Sequence, residues 1–261
     1  MTQATLYKRP APPRPRFSGV WQTVRFNYPL FLAAALAVCV GTAILSFAPL
    51  ASWVRWMLFV IVLLGASWAL MTILVAHLVY DRSDAFGFRW LSSYLQSAQT
   101  WANVHAGFDQ TSNMLREVLP NSAGIPVDIY DPAVTTESSI RRARAATQAP
   151  SGTRTGRYDQ LPLADQSLDM VLFLFAAHEL RTSAQREALF NEATRALKPG
   201  GVIVLAEHMR GFMTALAFGP GVFHFHSEKQ WLRAGASSQL TLDQRIHLTP
   251  FAGALIWRKS Q

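Results

Sequence analysis

Histidines and carboxylates stand side by side at two places in the 261-residue chain: His178-Glu179 follows the apolar run DMVLFLF, and Glu207-His208 follows VIVLA. A helical zinc-hydrolase pattern would need a second histidine four residues after His178, and that position is Thr182. His224 and His226, in VFHFHS, are two residues apart, which on a strand would place both on one face. No cysteine or further cluster at ligand spacing joins them, so no metal is expected. A nucleophilic triad has no support either. The single cysteine, Cys39, lies in an apolar run, and no glycine-flanked serine elbow occurs. One cysteine also excludes an internal disulfide and fits a reducing compartment.

The elements that carry these residues begin with an apolar excess. The chain is 50% hydrophobic and 15% charged, where soluble domains carry about a quarter charged residues. The net charge of +8 suits an anionic membrane surface or nucleic acid. The basic residues form no dense stripe interleaved with aromatics, so no nucleic acid is expected. Leu30 to Leu50 and Trp56 to Tyr80 contain no Asp, Glu, Lys or Arg. Each is long enough to cross a hydrocarbon core of about 30 Å, and neither has the polar face of a soluble helix. Both runs start too far along the chain and are too long for a cleaved signal peptide. Trp53, Trp56 and Tyr80 mark the interfaces, and His77 is read as interfacial too.

Lys8, Arg9, Arg14, Arg16 and Arg25 precede the first run, Arg55 alone lies between the runs, and Arg82 and Arg89 follow the second. The positive-inside bias therefore predicts a multi-pass protein of the cytoplasmic (inner) membrane, with the N-terminus and the C-terminal domain in the cytoplasm. Four regions follow: a basic, Pro-rich tail (1–27), a transmembrane helical hairpin (28–80), an amphipathic linker helix (81–99) and an α/β domain (100–261). The tail segment KRPAPPRPRF is expected to be extended.

In the last region, short apolar runs alternate with helical stretches, the pattern of a mostly parallel sheet covered on both faces. Strands are expected at Thr100 to His105, Pro126 to Tyr130, Asp169 to Phe175 and Val202 to Ala206. Helices are expected from Thr111 to Leu119, through SSIRRARAAT, and from Ser183 to Leu197, with Pro150 to Gly156 as a loop. Arg245 to Leu248 and Phe251 to Trp257 form an expected closing antiparallel pair.

The stretch LPLADQSLDMVLFLFAAHEL, followed by ALFNEATRALKPGGVIVLAEHMRG, resembles the second half of class I S-adenosylmethionine-dependent methyltransferases, most closely the small-molecule and quinone branch. The resemblance rests on Leu161-Pro162, Asp165, Asp169 and the Lys198 to Gly201 turn. It implies a Rossmann-like sheet with an antiparallel final strand and S-adenosylmethionine as cofactor. Gly107, in the turn after the first strand, would let backbone approach the cofactor. Asp131, after the second strand, would accept from the ribose hydroxyls, and Asp159 falls near the adenine-contacting turn. His178, at the edge where acceptors sit, would position the acceptor or take its proton; an ordinary hydrogen-bonded turn histidine reads equally well. Glu179 is expected at the surface or in a cap.

One departure stands out. In Val104-His105-Ala106-Gly107-Phe108-Asp109-Gln110 there is a single glycine, and His105 stands where the family carries an acidic residue. Two readings follow. In the first, the chain is a membrane-anchored methyltransferase acting on a lipophilic small molecule (quinone, pigment, isoprenoid or lipid), with the apolar segment Gly211 to Trp231 as lid, membrane-contacting loop or plain core. In the second, it is a catalytically inactive methyltransferase-like subunit or assembly factor of a membrane complex.

Overall fold

The computed structural model describes residues 14–261. Its centre is a seven-stranded sheet in the order β3-β2-β1-β4-β5-β7-β6. The strands are β1 (Thr100–His105), β2 (Ala123–Asp128), β3 (Arg154–Thr155), β4 (Leu168–Leu174), β5 (Leu197–His208), β6 (Leu240–Thr249) and β7 (Ala252–Lys259). The first five are parallel, and β7 runs antiparallel to both β5 and β6. The apolar run of β4 serves both faces by alternation. Val171 and Phe173 enter one core with Phe190, Trp231 and Trp257, while Met170 and Leu172 enter another with Trp101, Leu115 and Ile256.

Helices α5 (Ser112–Val118), α6 (Ser138–Ala146), α7 (Ser183–Ala196), α8 (Phe212–Phe218) and α9 (Glu228–Ser237) connect the strands. The helix expected from Ser183 is capped one residue earlier, where Thr182 and Gln185 form a reciprocal capping box on α7. The expected second strand shifts toward the N-terminus, ending at Asp128, because Asp128 pairs with His105 at the end of β1. The loop at 150–156 contains the two-residue strand β3. The linker expected as an amphipathic helix is mostly turns, with only a 3₁₀ turn at Arg89–Leu91 and the single-turn α4 (Ser92–Leu95). Phe86, Phe88, Leu91 and Leu95 from this stretch are buried and cover one sheet face.

The chain enters through α1 (Ser18–Phe26), α2 (Tyr28–Phe47) and α3 (Ser52–Ala76), the last continuing as a π-helical turn, His77–Arg82. The extended tail expected at 8–17 lies largely outside the described residues, but residues 18–26 form a helix docked on the domain. The Asp81 carboxylate takes the free N–H groups of Gly19 (2.6 Å) and Val20 (3.3 Å), capping α1 from another element. Gly19 is required there, since a Cβ would stand 2.3 Å from that of Tyr80. Helices α2 and the α3 extension have mean hydropathies of 2.4 and 2.6, and 6% of the most apolar window of each is buried. By length and composition both suffice to cross a membrane.

Candidate active site

The carboxyl ends of β1, β2, β4 and β5 share one edge, and the chain changes winding direction between β1 and β4. Open α/β sheets bind ligands at such a switch point. After β4, Phe175 turns the chain at φ 55°, a left-handed conformation strained for a bulky residue. Packing against Tyr80, Phe86 and His208 holds it there. A 3₁₀ turn, Ala177–Glu179, follows and presents His178.

Glu207, fully buried at the end of β5, accepts from the His178 backbone N–H at 3.2 Å and from His178 Nδ1 at 2.7 Å. The other ring nitrogen, Nε2, lies 3.4 Å from Glu179 Oε1. Glu179 is 3% exposed, not the surface or capping residue expected. His224 reaches the same oxygen from a distant 3₁₀ turn, Gly219–His224, with Nε2 at 3.8 Å and Nδ1 3.1 Å from Glu137 Oε1. Burial pulls the His178 pKa down, but the Glu207 charge and the hydrogen bonds to Glu179 and Glu207 outweigh it and push it up to about 10. A metal-free His178 is therefore a cation and hydrogen-bond donor at neutral pH. A cation bonded through both ring nitrogens does not suit the base role. His208, beside Glu207, is driven the other way, to about 3, by burial and then by the neighbouring His178 charge. It bridges the Tyr80 hydroxyl (2.8 Å) and the Phe251 carbonyl (3.2 Å).

Gly107 turns the chain after β1 at φ +95°, as the family pattern requires. The space against it is filled: an added Cβ would lie 2.8 Å from Tyr130 Cδ2 and 3.2 Å from Ile140. Asp109 does not project toward a cofactor carboxylate. It accepts from the backbone N–H groups of Thr111 (2.8 Å) and Ser112 (2.9 Å), which occupies the N-terminus of α5. His105 is buried 3.8 Å from both Asp109 and Asp128, with neither ring nitrogen hydrogen-bonded. The cavity beside Phe108, Thr111 and Glu179 is about 40 Å³, against about 300–1,000 Å³ for ligand pockets. As folded here, these residues do not fit S-adenosylmethionine.

Asp131, the expected ribose acceptor, stands three residues beyond β2 and accepts from the Ala133 N–H at 2.8 Å in a local turn. The strand-end carboxylate is Asp128, buried and paired with Arg144 of α6. Asp159 pairs with Arg157 at 2.9 Å on the surface, away from this cluster. His224 and His226 do not share a face, because the chain there is a 3₁₀ turn, not a strand. His226 is buried against the Leu180 carbonyl (3.1 Å) and Arg186. Sequence reading missed Asp128, Glu137 and Arg144. For Asp128 the apolar pair Ile129-Tyr130 extended the apparent strand; Glu137 and Arg144 carry no local signal.

Residues 104–205 match the family described as a methyltransferase domain. An S-adenosylmethionine-dependent methyltransferase from Methanosarcina mazei is 17% identical, with a TM-score of 0.50 over 66% of this chain and 97% of that one. Another from Aquifex aeolicus is 14% identical, with a TM-score of 0.52 over 70% of this chain and 92% of that one. No curated protein matches the chain. The domain match and the shared fold support S-adenosylmethionine as the cofactor. Residues 104–205 thus match a methyltransferase domain, on a sheet whose fold S-adenosylmethionine-dependent methyltransferases share.

Proposed function

We propose that this protein is a membrane-anchored methyltransferase acting on a lipophilic small molecule. One observation carries the reading: the segment that delivers His224 to the site is itself apolar and outward-facing. Phe212 (81%), Leu216 (57%) and Phe223 (70%) are exposed along α8 and the turn after it. The same segment packs on α3, where a Cβ added to Gly219 would stand 3.2 Å from the Trp68 ring. Amphipathic pieces of this kind lie in the membrane interface, so an acceptor could pass from lipid to His178 without crossing water. A second cavity of about 250 Å³, lined by Met209, Phe212, Met213 and Phe251, opens along α8. When bound, S-adenosylmethionine would supply an activated methyl group. The chain's own task is to hold the acceptor beside His178, with α8 as the apolar wall. The flanking arginines, against Arg55 alone between the helices, support a cytoplasmic domain.

The filled cradle favours a second reading, an inactive methyltransferase-like subunit of a membrane complex. Calorimetric titration of the full-length, detergent-solubilised protein with S-adenosylmethionine separates the two. Binding, followed by formation of S-adenosylhomocysteine when a lipid extract is added, is the result expected. No heat at millimolar cofactor, together with migration only in a larger assembly on native gels, leaves the second reading.

A further inference from the structure

We propose that His178, Glu179 and His224 bind one divalent transition-metal ion of the zinc type at the carboxyl end of β4. One donor atom from each residue lies within 4.8 Å of the others. Nε2 of His178 and Nε2 of His224 stand 3.4 and 3.8 Å from the same oxygen, Glu179 Oε1. Tetrahedral ligands at about 2.1 Å from a zinc ion lie about 3.4 Å apart, so small side-chain shifts close the set.

Outer contacts fix which nitrogens are available. His178 Nδ1 donates to the buried Glu207 carboxylate at 2.7 Å, and His224 Nδ1 faces the Glu137 carboxylate at 3.1 Å. Each imidazole held through Nδ1 on a carboxylate turns an Nε2 lone pair toward Glu179, the carboxylate–histidine pattern that surrounds metal-ligating histidines. Arg181 Nη1 also lies 3.0 Å from His224 Nδ1, while donating to the His224 carbonyl at 2.6 Å. Arg181 and Glu137 demand opposite tautomers, and a metal on Nε2 selects the one that Glu137 accepts. Two histidines and one glutamate match zinc sites that keep an open fourth position for an oxygen ligand, water or a hydroxylic acceptor.

The site spans two elements separated by residues 180–223, and neither half carries a motif. It does not depend on cofactor binding, so its test is independent of the methyltransferase reading. The full-length protein in detergent is stripped with chelator, then titrated with Zn²⁺ by calorimetry and with Co²⁺ by visible absorption. The expected result is one equivalent per chain, with the d–d bands of low-coordinate cobalt. His224→Asn, at a half-buried position, and Glu207→Gln should each weaken affinity at least about tenfold, while His247→Ala, on the exposed strand β6, should leave it unchanged. Far-ultraviolet circular dichroism establishes that each variant is folded. No stoichiometric binding, or binding undiminished in His224→Asn, overturns the proposal.

Discussion

Replacing Arg144 by alanine tests the closed cradle directly. Its guanidinium pairs with Asp128 and lies 4.8 Å from the centroid of the Tyr130 ring, the ring that covers Gly107. Asp128 is 4% exposed in its side chain and Arg144 43%. A hydrogen bond between charged groups contributes about 1.5–3 kcal/mol, and exposure at the arginine end reduces this to about 1–1.5 kcal/mol. A ligand that must displace the guanidinium from Asp128 works against that amount. Removing Arg144 should therefore tighten S-adenosylmethionine binding about tenfold, since each 1.4 kcal/mol is a factor of ten. Stability should fall by about 1 kcal/mol, because Asp128 keeps the Tyr130 N–H at 3.0 Å but loses its counter-ion. Calorimetry on wild type, Arg144→Ala and Arg144→Lys in the same detergent measures the first effect, and chemical denaturation the second. Equal or weaker binding by Arg144→Ala would falsify the idea that this pair shuts the site.

Two further outcomes follow from the packing around the anchor and β5. Asp81→Asn weakens the acceptor of the Gly19 and Val20 amides of α1 and should cost about 1–2 kcal/mol of local stability; trypsin cleavage after Arg25 should accelerate, and an unchanged rate would show that α1 is held by something else. His208 has its folded pKa lowered to about 3 by burial, against about 6.5 unfolded. The unfolded chain then binds the extra proton between those values, so this stability is present above about pH 6.5 and is lost at about 1.4 kcal/mol per pH unit on acidification. In His208→Asn that part of the acid slope should vanish, and denaturation midpoints measured across this range that fall as steeply as in wild type would count against it.

Much of the fold was legible because burial writes itself into local pattern. DMVLFLF reads as a strand covered on both faces, Ser183 as a helix start, and Leu30 to Leu50 as an apolar helix. Errors fell where local signal and pairing disagree. Ile129 and Tyr130 look like strand, yet β2 stops at Asp128 opposite His105, and the expected ribose acceptor, Asp131, stands in a turn. Glu179 looked like a surface residue beside His178, but the strained turn at Phe175 folds it inward. Residues 18–26 looked like part of a polar tail, and Asp81, far along the chain, makes them a helix.

The amino-acid order alone determined the alternation of strands and helices and the two apolar helices, since each depends on hydrophobic period and short-range turn chemistry. The tertiary structure decided what occupies the sheet's carboxyl edge: Arg144 on Asp128, Tyr130 over Gly107, and His178, Glu179 and His224 around one oxygen. Apart from the neighbours His178 and Glu179, those contacts join residues between 16 and 45 positions apart. Side-chain burial and charge pairing at such separations are set by how the elements pack, which no local pattern encodes.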